Sequence, residues 1–125
     1  MILRCAVCHI PISDDVHELK DRGRLSDERG SDFLPQGCYL IASAADNFSS
    51  HTDGEFILNL KDVHNLQRHS DPSRLNGCCG LDGLDGINTV CSNGHEIGTQ
   101  RTDCWCPHYI HIPPKNVGVF EPAVI

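Results

Sequence analysis

The sequence predicts a small α+β domain, rich in β, with short antiparallel strands, one short N-terminal helix and a metal centre that staples the fold. Three observations lead there. Several short apolar segments alternate in the manner of strands between Gly- and Asp-rich turns. Residues 13–22 carry helix punctuation. Eight cysteines are distributed over 125 residues, four of them in the stretch Gly77–Trp105 together with six of the eleven glycines.

Length and composition explain why a staple is needed. A chain of 125 residues fits one domain over residues 1–125, burying roughly two-thirds of its unfolded surface. Only 39% of the residues are hydrophobic, with one Trp, four Phe and two Tyr, so side chains alone would build a thin core. The N-terminal MILRCAVCHIPIS has no apolar run of signal-peptide length, and nothing approaches the roughly twenty apolar residues of a membrane helix. The expectation is a soluble, cytoplasmic chain, where clustered thiols favour metal over disulfides. Disulfides remain the rival reading, since eight is an even number. Seventeen acidic against ten basic residues give a net charge of −7, which argues against a nucleic-acid partner. Lys20, Arg22, Arg24 and Arg29 are interleaved with Asp and Glu and read as a solvated face.

In chain order, Cys5 and Cys8 form a C-x2-C pair whose turn can present two sulfurs to one ion. A redox C-x-x-C is the alternative, but the strand, helix and βαβ context of that motif are missing. The pair resembles the first knuckle of a zinc ribbon, with His9 where such knuckles often carry Gly. Ser13 as N-cap, Asp14 and Asp15 in a first turn, Lys20 and Arg22 at the end and Gly23 beyond predict a helix over 13–22, covering the core with Val16 and Leu19 only. Residues 23–36 read as a mobile polar loop. Cys38–Ala44 and Glu55–Leu60 are predicted strands joined by a long hairpin connection, the second with one apolar face; Cys38 reads as a small buried hydrophobe. Residues 61–76 offer a weak helical turn around Val63 and Leu66, ended by Asp71-Pro72, with His64 and His69 as surface histidines.

In Gly77-Cys78-Cys79-Gly80, adjacent thiols share an ion only if the chain turns between them. A strained vicinal disulfide is the weaker alternative. LDGLDGIN reads as tandem turns, since Asp82, Asp85 and Asn88 lack the calcium-loop pattern. Cys91 and His95 form a C-x3-H unit resembling a second ribbon knuckle, with Gly94 where a second Cys would stand. Glu96–Thr102 alternates as a strand; Cys104, Cys106 and His108 share parity along its continuation, with Pro107 indicating an edge position. The tail adds a strand, a Pro113-Pro114 break and a last apolar strand.

The metal candidates are therefore Cys5, Cys8, Cys78, Cys91 and Cys104, with Cys79 and His95 as substitutes, and Zn2+ as the ion. Seven candidates for four places leave room for two ions. NGCCGLDGLDGIN, Cys91 and Asp103-Cys104-Trp105, with the N-terminal C-x2-C, resemble a group of small uncharacterised bacterial cysteine-rich proteins. That resemblance implies a bacterial cytosolic context and no particular reaction. Three functions compete: a non-catalytic zinc protein acting as an interaction or accessory module with a protein partner; a zinc-dependent hydrolase or deaminase-like enzyme using His95 and Glu96; and a redox or metal sensor using Cys38, Cys79 and Cys106.

Overall fold

A computed structural model describes residues 1–46, 48 and 52–120. Among these residues it contains nine strands and no α-helix; the helical pieces are 3₁₀ turns of three residues each. The strands are β1 (Ile2–Cys5), β2 (His17–Glu18), β3 (Cys38–Ile41), β4 (Phe56–Leu58), β5 (Leu66–Arg68), β6 (Thr89–Cys91), β7 (Glu96–Arg101), β8 (Tyr109–Ile112) and β9 (Val117–Phe120). Seven of them form a sheet in the order β2-β3-β4-β8-β7-β6-β5, and β1 pairs with β9 in a separate two-stranded ribbon. All pairings are antiparallel except β2 with β3. No helix among the described residues is long and apolar enough to cross a membrane.

The strand order explains where the core lies. Successive side chains of a strand point to opposite faces, and β4 buries all three of its residues. Phe56 and Leu58 join Leu3, Cys5, Ile12, Val16, Cys91, Ile97, Ile110 and Ile112 in one cluster, on the side covered by the β1–β9 ribbon. Ile57 faces the other way, into a second cluster with Leu19, Leu34, Leu40, Ala42 and Tyr109. The sheet is thus apolar on both faces at its centre, whereas the sequence pattern had indicated one apolar face.

The N-terminal helix expected over 13–22 is absent, so the fold is β-rich without the α component. The segment runs extended: Val16 N–H donates to Met1 O, His17 N–H to Gly37 O and Leu19 N–H to Tyr39 O, each at 2.8–2.9 Å. Ser13 does not cap a helix; its hydroxyl accepts from Leu3 N–H at 2.8 Å and donates to Asp14 O. A helix would have given the core only Val16 and Leu19, and both are buried from the extended chain, at 0% and 4% exposure. Non-local pairing therefore outweighs a weak local preference.

Other departures follow the same logic. The 23–36 loop is not wholly a surface feature: Leu34 is 1% exposed, and Asn59 Nδ2 donates to Leu34 O at 2.8 Å, fixing the loop to the end of β4. The turn expected near Val63 and Leu66 is a 3₁₀ turn at Leu60–Asp62 followed by β5. The two strands predicted over 38–44 and 55–60 pair as β3 and β4, and residues 47 and 49–51 of their connection lie outside the described residues. Pro107 precedes β8, which lies between β4 and β7 and is not an edge strand. The chain turns at 103–106, with Cys106 N–H donating to Asp103 O, so Cys104 is exposed and Cys106 buried despite their shared parity.

Candidate metal centre

Among the described residues two groups of thiol and imidazole donors converge, Cys5, Cys8, Cys91 and His95 in one, Cys78, Cys79 and Cys104 in the other. Within each group the donor atoms lie within 4.8 Å of one another, close enough to hold a metal ion. All seven residues singled out from the sequence fall into these groups, and all eight cysteines are free thiols.

The first group is built from two turns. Cys5 ends β1, and the chain returns with His9 N–H donating to Cys5 O and Cys5 N–H to Ile10 O. His9 takes φ of 63°, the left-handed conformation that makes Gly the common residue at this point of a knuckle. The second turn leaves β6 at Cys91 and re-enters β7: Gly94 N–H donates to Cys91 O, Cys91 N–H to His95 O, and Gly94 has φ of 87°. This turn is one residue shorter than the first. Asn93 consequently occupies the place before the left-handed residue that Cys8 holds in the first turn, and His95 supplies the donor from the beginning of the returning strand.

The distances fit one tetrahedral ion. With Zn–S near 2.3 Å and Zn–N near 2.0–2.1 Å, a tetrahedron has edges of about 3.8 Å between sulfurs and about 3.6 Å between sulfur and nitrogen. Cys8 Sγ lies 3.8 Å from Cys91 Sγ, and His95 Nδ1 lies 3.7 Å from Cys5 Sγ and 3.4 Å from Cys91 Sγ. Cys5 and Cys91 are buried, at 1% and 0% exposure, in the core cluster beneath the ribbon. The site therefore joins the end of the β1–β9 ribbon to the β6–β7 hairpin of the large sheet.

Its electrostatics differ from donor to donor. Asn93 Nδ2 donates to Cys8 Sγ at 3.2 Å, and this hydrogen bond, with the Ile10 backbone N–H, lowers the Cys8 thiol to about 6. Burial raises Cys5, opposed by backbone donors that include Val7 N–H at 3.4 Å. Glu96 follows His95 in sequence, yet its carboxylate is engaged elsewhere: Oε2 lies 3.3 Å from His69 Nε2 and 3.6 Å from Arg74 Nη1. The His69 side chain is only 17% exposed and is not the freely solvated surface histidine the sequence had indicated. His64 lies 3.4 Å from Asp14 and joins neither group.

The second group sits where the loop 77–81 docks on residues 102–105. Asp103 organises it. Its carboxylate, 1% exposed, accepts from Cys78 N–H (2.9 Å) and Trp105 Nε1–H (2.8 Å) at Oδ2, and from Cys79 N–H (2.9 Å) and Cys104 N–H (2.8 Å) at Oδ1. These donors, the Cys79 and Cys78 amides foremost, hold the carboxyl well below the usual carboxylate range. Cys79 Sγ is 2.8 Å from Cys104 Sγ and 3.9 Å from Cys78 Sγ, and all three cysteines are exposed. The hydrogen bond with Cys79 pushes Cys104 up to about 12, and Cys78 is raised for the same first reason.

Of the other thiols, Cys106 is buried, its Sγ 3.5 Å from Asp103 O, and burial raises it. Cys38 is half-buried beside the second core cluster. The role of Asp103 had no signal in the sequence beyond its position next to Cys104. No known family model, curated protein or solved structure matches the chain.

Proposed function

We propose that this chain is a zinc protein whose Cys5, Cys8, Cys91 and His95 Nδ1 hold one Zn2+ in a structural role, and that the domain serves as an interaction or accessory module. The observation carrying this reading is the donor geometry: one nitrogen and three sulfurs from two turns, all within 4.8 Å of one another and with the Cys8–Cys91, Cys5–His95 and Cys91–His95 separations at 3.4–3.8 Å, which match a tetrahedral zinc ion. Four protein donors also leave no open coordination position, the mark of a structural rather than a catalytic zinc. The engagement of Glu96 by His69 and Arg74 weighs against the hydrolase-like alternative, which needs that carboxylate facing the metal.

The acidic balance, −7 overall, favours a protein partner over nucleic acid. Val7 at the tip of the first turn is 66% exposed, and Val119 and Phe120 on β9 are 50% and 43% exposed, apolar groups suited to such a contact. A bacterial cytoplasm is the setting that the thiol content and the resemblance of the cysteine motifs support.

Metal analysis tests the proposal. Protein purified without chelator is expected to carry at least one zinc per chain, and the Cys8→Ser and His95→Ala variants to lose one equivalent each. Wild-type protein with less than half an equivalent of zinc, or with iron in its place, would overturn it.

A further inference from the structure

We infer that Cys78, Cys79 and Cys104 form a second ion site of a different kind, a solvent-open, three-thiolate site for a soft monovalent ion of the Cu(I) type. It is distinct from the zinc proposal, since no residue is shared between the two groups.

Several features show a built arrangement. Side chains of neighbouring residues in an extended chain point to opposite sides, whereas here the 77–80 turn brings Cys78 and Cys79 together with Cys104, a sulfur 25 positions away from Cys79. Both flanking glycines are required by that turn. A Cβ on Gly77, which has φ of 153°, would lie 1.7 Å from Gly80 O, and one on Gly80 would lie 2.4 Å from Thr102 O. Leu81 seals the junction, its N–H donating to Thr102 Oγ1 and its carbonyl accepting from Thr102 N–H, each at 2.8 Å.

The hydrogen bonding then separates scaffold from ligands. In the first group the protein itself offers N–H donors to sulfur, from Val7 and Asn93. In the second, the amides of all three cysteines are spent on Asp103. Asp103 is itself saturated by four donors, so it fixes the backbone and has no oxygen to spare as a ligand. Three sulfurs with no imidazole or free carboxylate beside them make an all-soft donor set, which selects thiophilic ions such as Cu(I) over hard ones. A closed structural zinc site would need a fourth protein ligand that this group lacks. The exposure of all three cysteines, with Trp105 next to Cys104 at 43% exposure, leaves one side of the ion open for exchange with a donor or acceptor thiol.

Uptake is a ligand exchange without change of oxidation state. Each thiol releases its proton to solvent, three sulfur–metal bonds form, and the ligands that carried the ion in are set free.

The test titrates zinc-loaded protein with Cu(I), anaerobically and against a chromophoric Cu(I) chelator. The expected result is one equivalent of Cu(I) taken up with all zinc retained, and quenching of Trp105 fluorescence that saturates at one equivalent. Cys78→Ser and Cys104→Ser should each weaken Cu(I) binding roughly tenfold or more while keeping zinc content and melting temperature. Three outcomes would overturn the inference: no uptake beyond that of the Cys78→Ser/Cys104→Ser double variant, release of one zinc for each copper bound, or two thiols missing from anaerobically purified protein because Cys79 and Cys104 form a disulfide. Zinc content measured on the same samples reports independently on the first site.

Discussion

Cys8→Ser is the most direct probe of the proposed zinc staple. Cys5 and Cys91 are both buried in the core, so replacing either would mix loss of metal with loss of packing. Cys8 is only half-buried, and serine keeps its size. The ion would connect Cys8 to Cys91 across 83 positions of chain. Treated as a cross-link closing a loop of that length, it removes unfolded-state entropy equivalent to about 4.5 kcal/mol at 25 °C. Domains have total stabilities of about 5–15 kcal/mol, so the loss is a large share. At about 3–5 °C per kcal/mol for a chain of this size, the melting temperature should fall by roughly 15–20 °C. Circular dichroism melts of wild type, chelator-treated wild type and Cys8→Ser, with metal content measured on each sample, would check this. Stripped protein and variant should melt together, well below the loaded wild type. A variant or stripped protein that has lost its zinc yet melts within 2–3 °C of the loaded form would refute the cross-link reasoning.

Asn93→Ala removes the donor to Cys8 Sγ while leaving all four ligands, and should weaken zinc binding roughly tenfold in a competition with a chromophoric chelator. His9→Gly relieves a left-handed backbone at an exposed position, and should stabilise the loaded protein by about 0.5–1 kcal/mol in denaturant melts. Asp103→Asn turns an amide N–H2 toward two of the four existing donors; it should lower the melting temperature and abolish the proximity of Cys78, Cys79 and Cys104, read as slower dithiol cross-linking, while zinc content stays unchanged. Asp62 is buried and its carboxyl is raised by that burial. A raised folded-state value contributes stability below the unfolded value, near 3.9, and loses it as pH rises through the folded value. Asp62→Asn should therefore raise the melting temperature by a few degrees at pH 7, with the advantage vanishing below about pH 4; an equal gain at both pH values would contradict the burial cause.

The residues that could hold a metal were more legible in the sequence than the elements that carry them. Cys5 and Cys8 are visible because ligand spacing within a turn is a local property. His9 marked a glycine-like position, and its φ of 63° has that cause. His95 was readable from C-x3-H, although its weight depended on Gly94 displacing the second cysteine. The division of seven candidates into a group of four and a group of three was not readable, because it depends on the β6–β7 hairpin lying beside the ribbon, a relation across 83 positions. The helix over 13–22 failed for a related reason. Ser13, Asp14 and Asp15 are good helix-start residues, but Met1, Gly37 and Tyr39 offer this segment backbone partners that no local pattern reveals. Shared parity of Cys104 and Cys106 likewise assumed a continuing strand, and the Asp103 turn removed that assumption.

The two thiol groups divide the work of stabilisation between different agents. Around Cys5, Cys8, Cys91 and His95 the protein brings together two structural units, ribbon and sheet, that also meet through the apolar contacts of one cluster and through hydrogen bonds such as Asn116 Nδ2 to Ile97 O. A metal there would join non-local parts and be shielded by the core, so its binding energy would become folding energy. Around Cys78, Cys79 and Cys104 the joining is already accomplished by Asp103, whose single carboxylate gathers four donors from both segments. Those three sulfurs are accordingly not needed to hold the fold together, and their exposure would be a liability for a purely structural role. A scaffold that holds exposed thiols in place without using them is what an exchangeable ion site requires, and a staple requires the reverse. Under the two proposals the same chain would meet both requirements through which group receives the backbone amides, the carboxylate in one case and the sulfurs in the other.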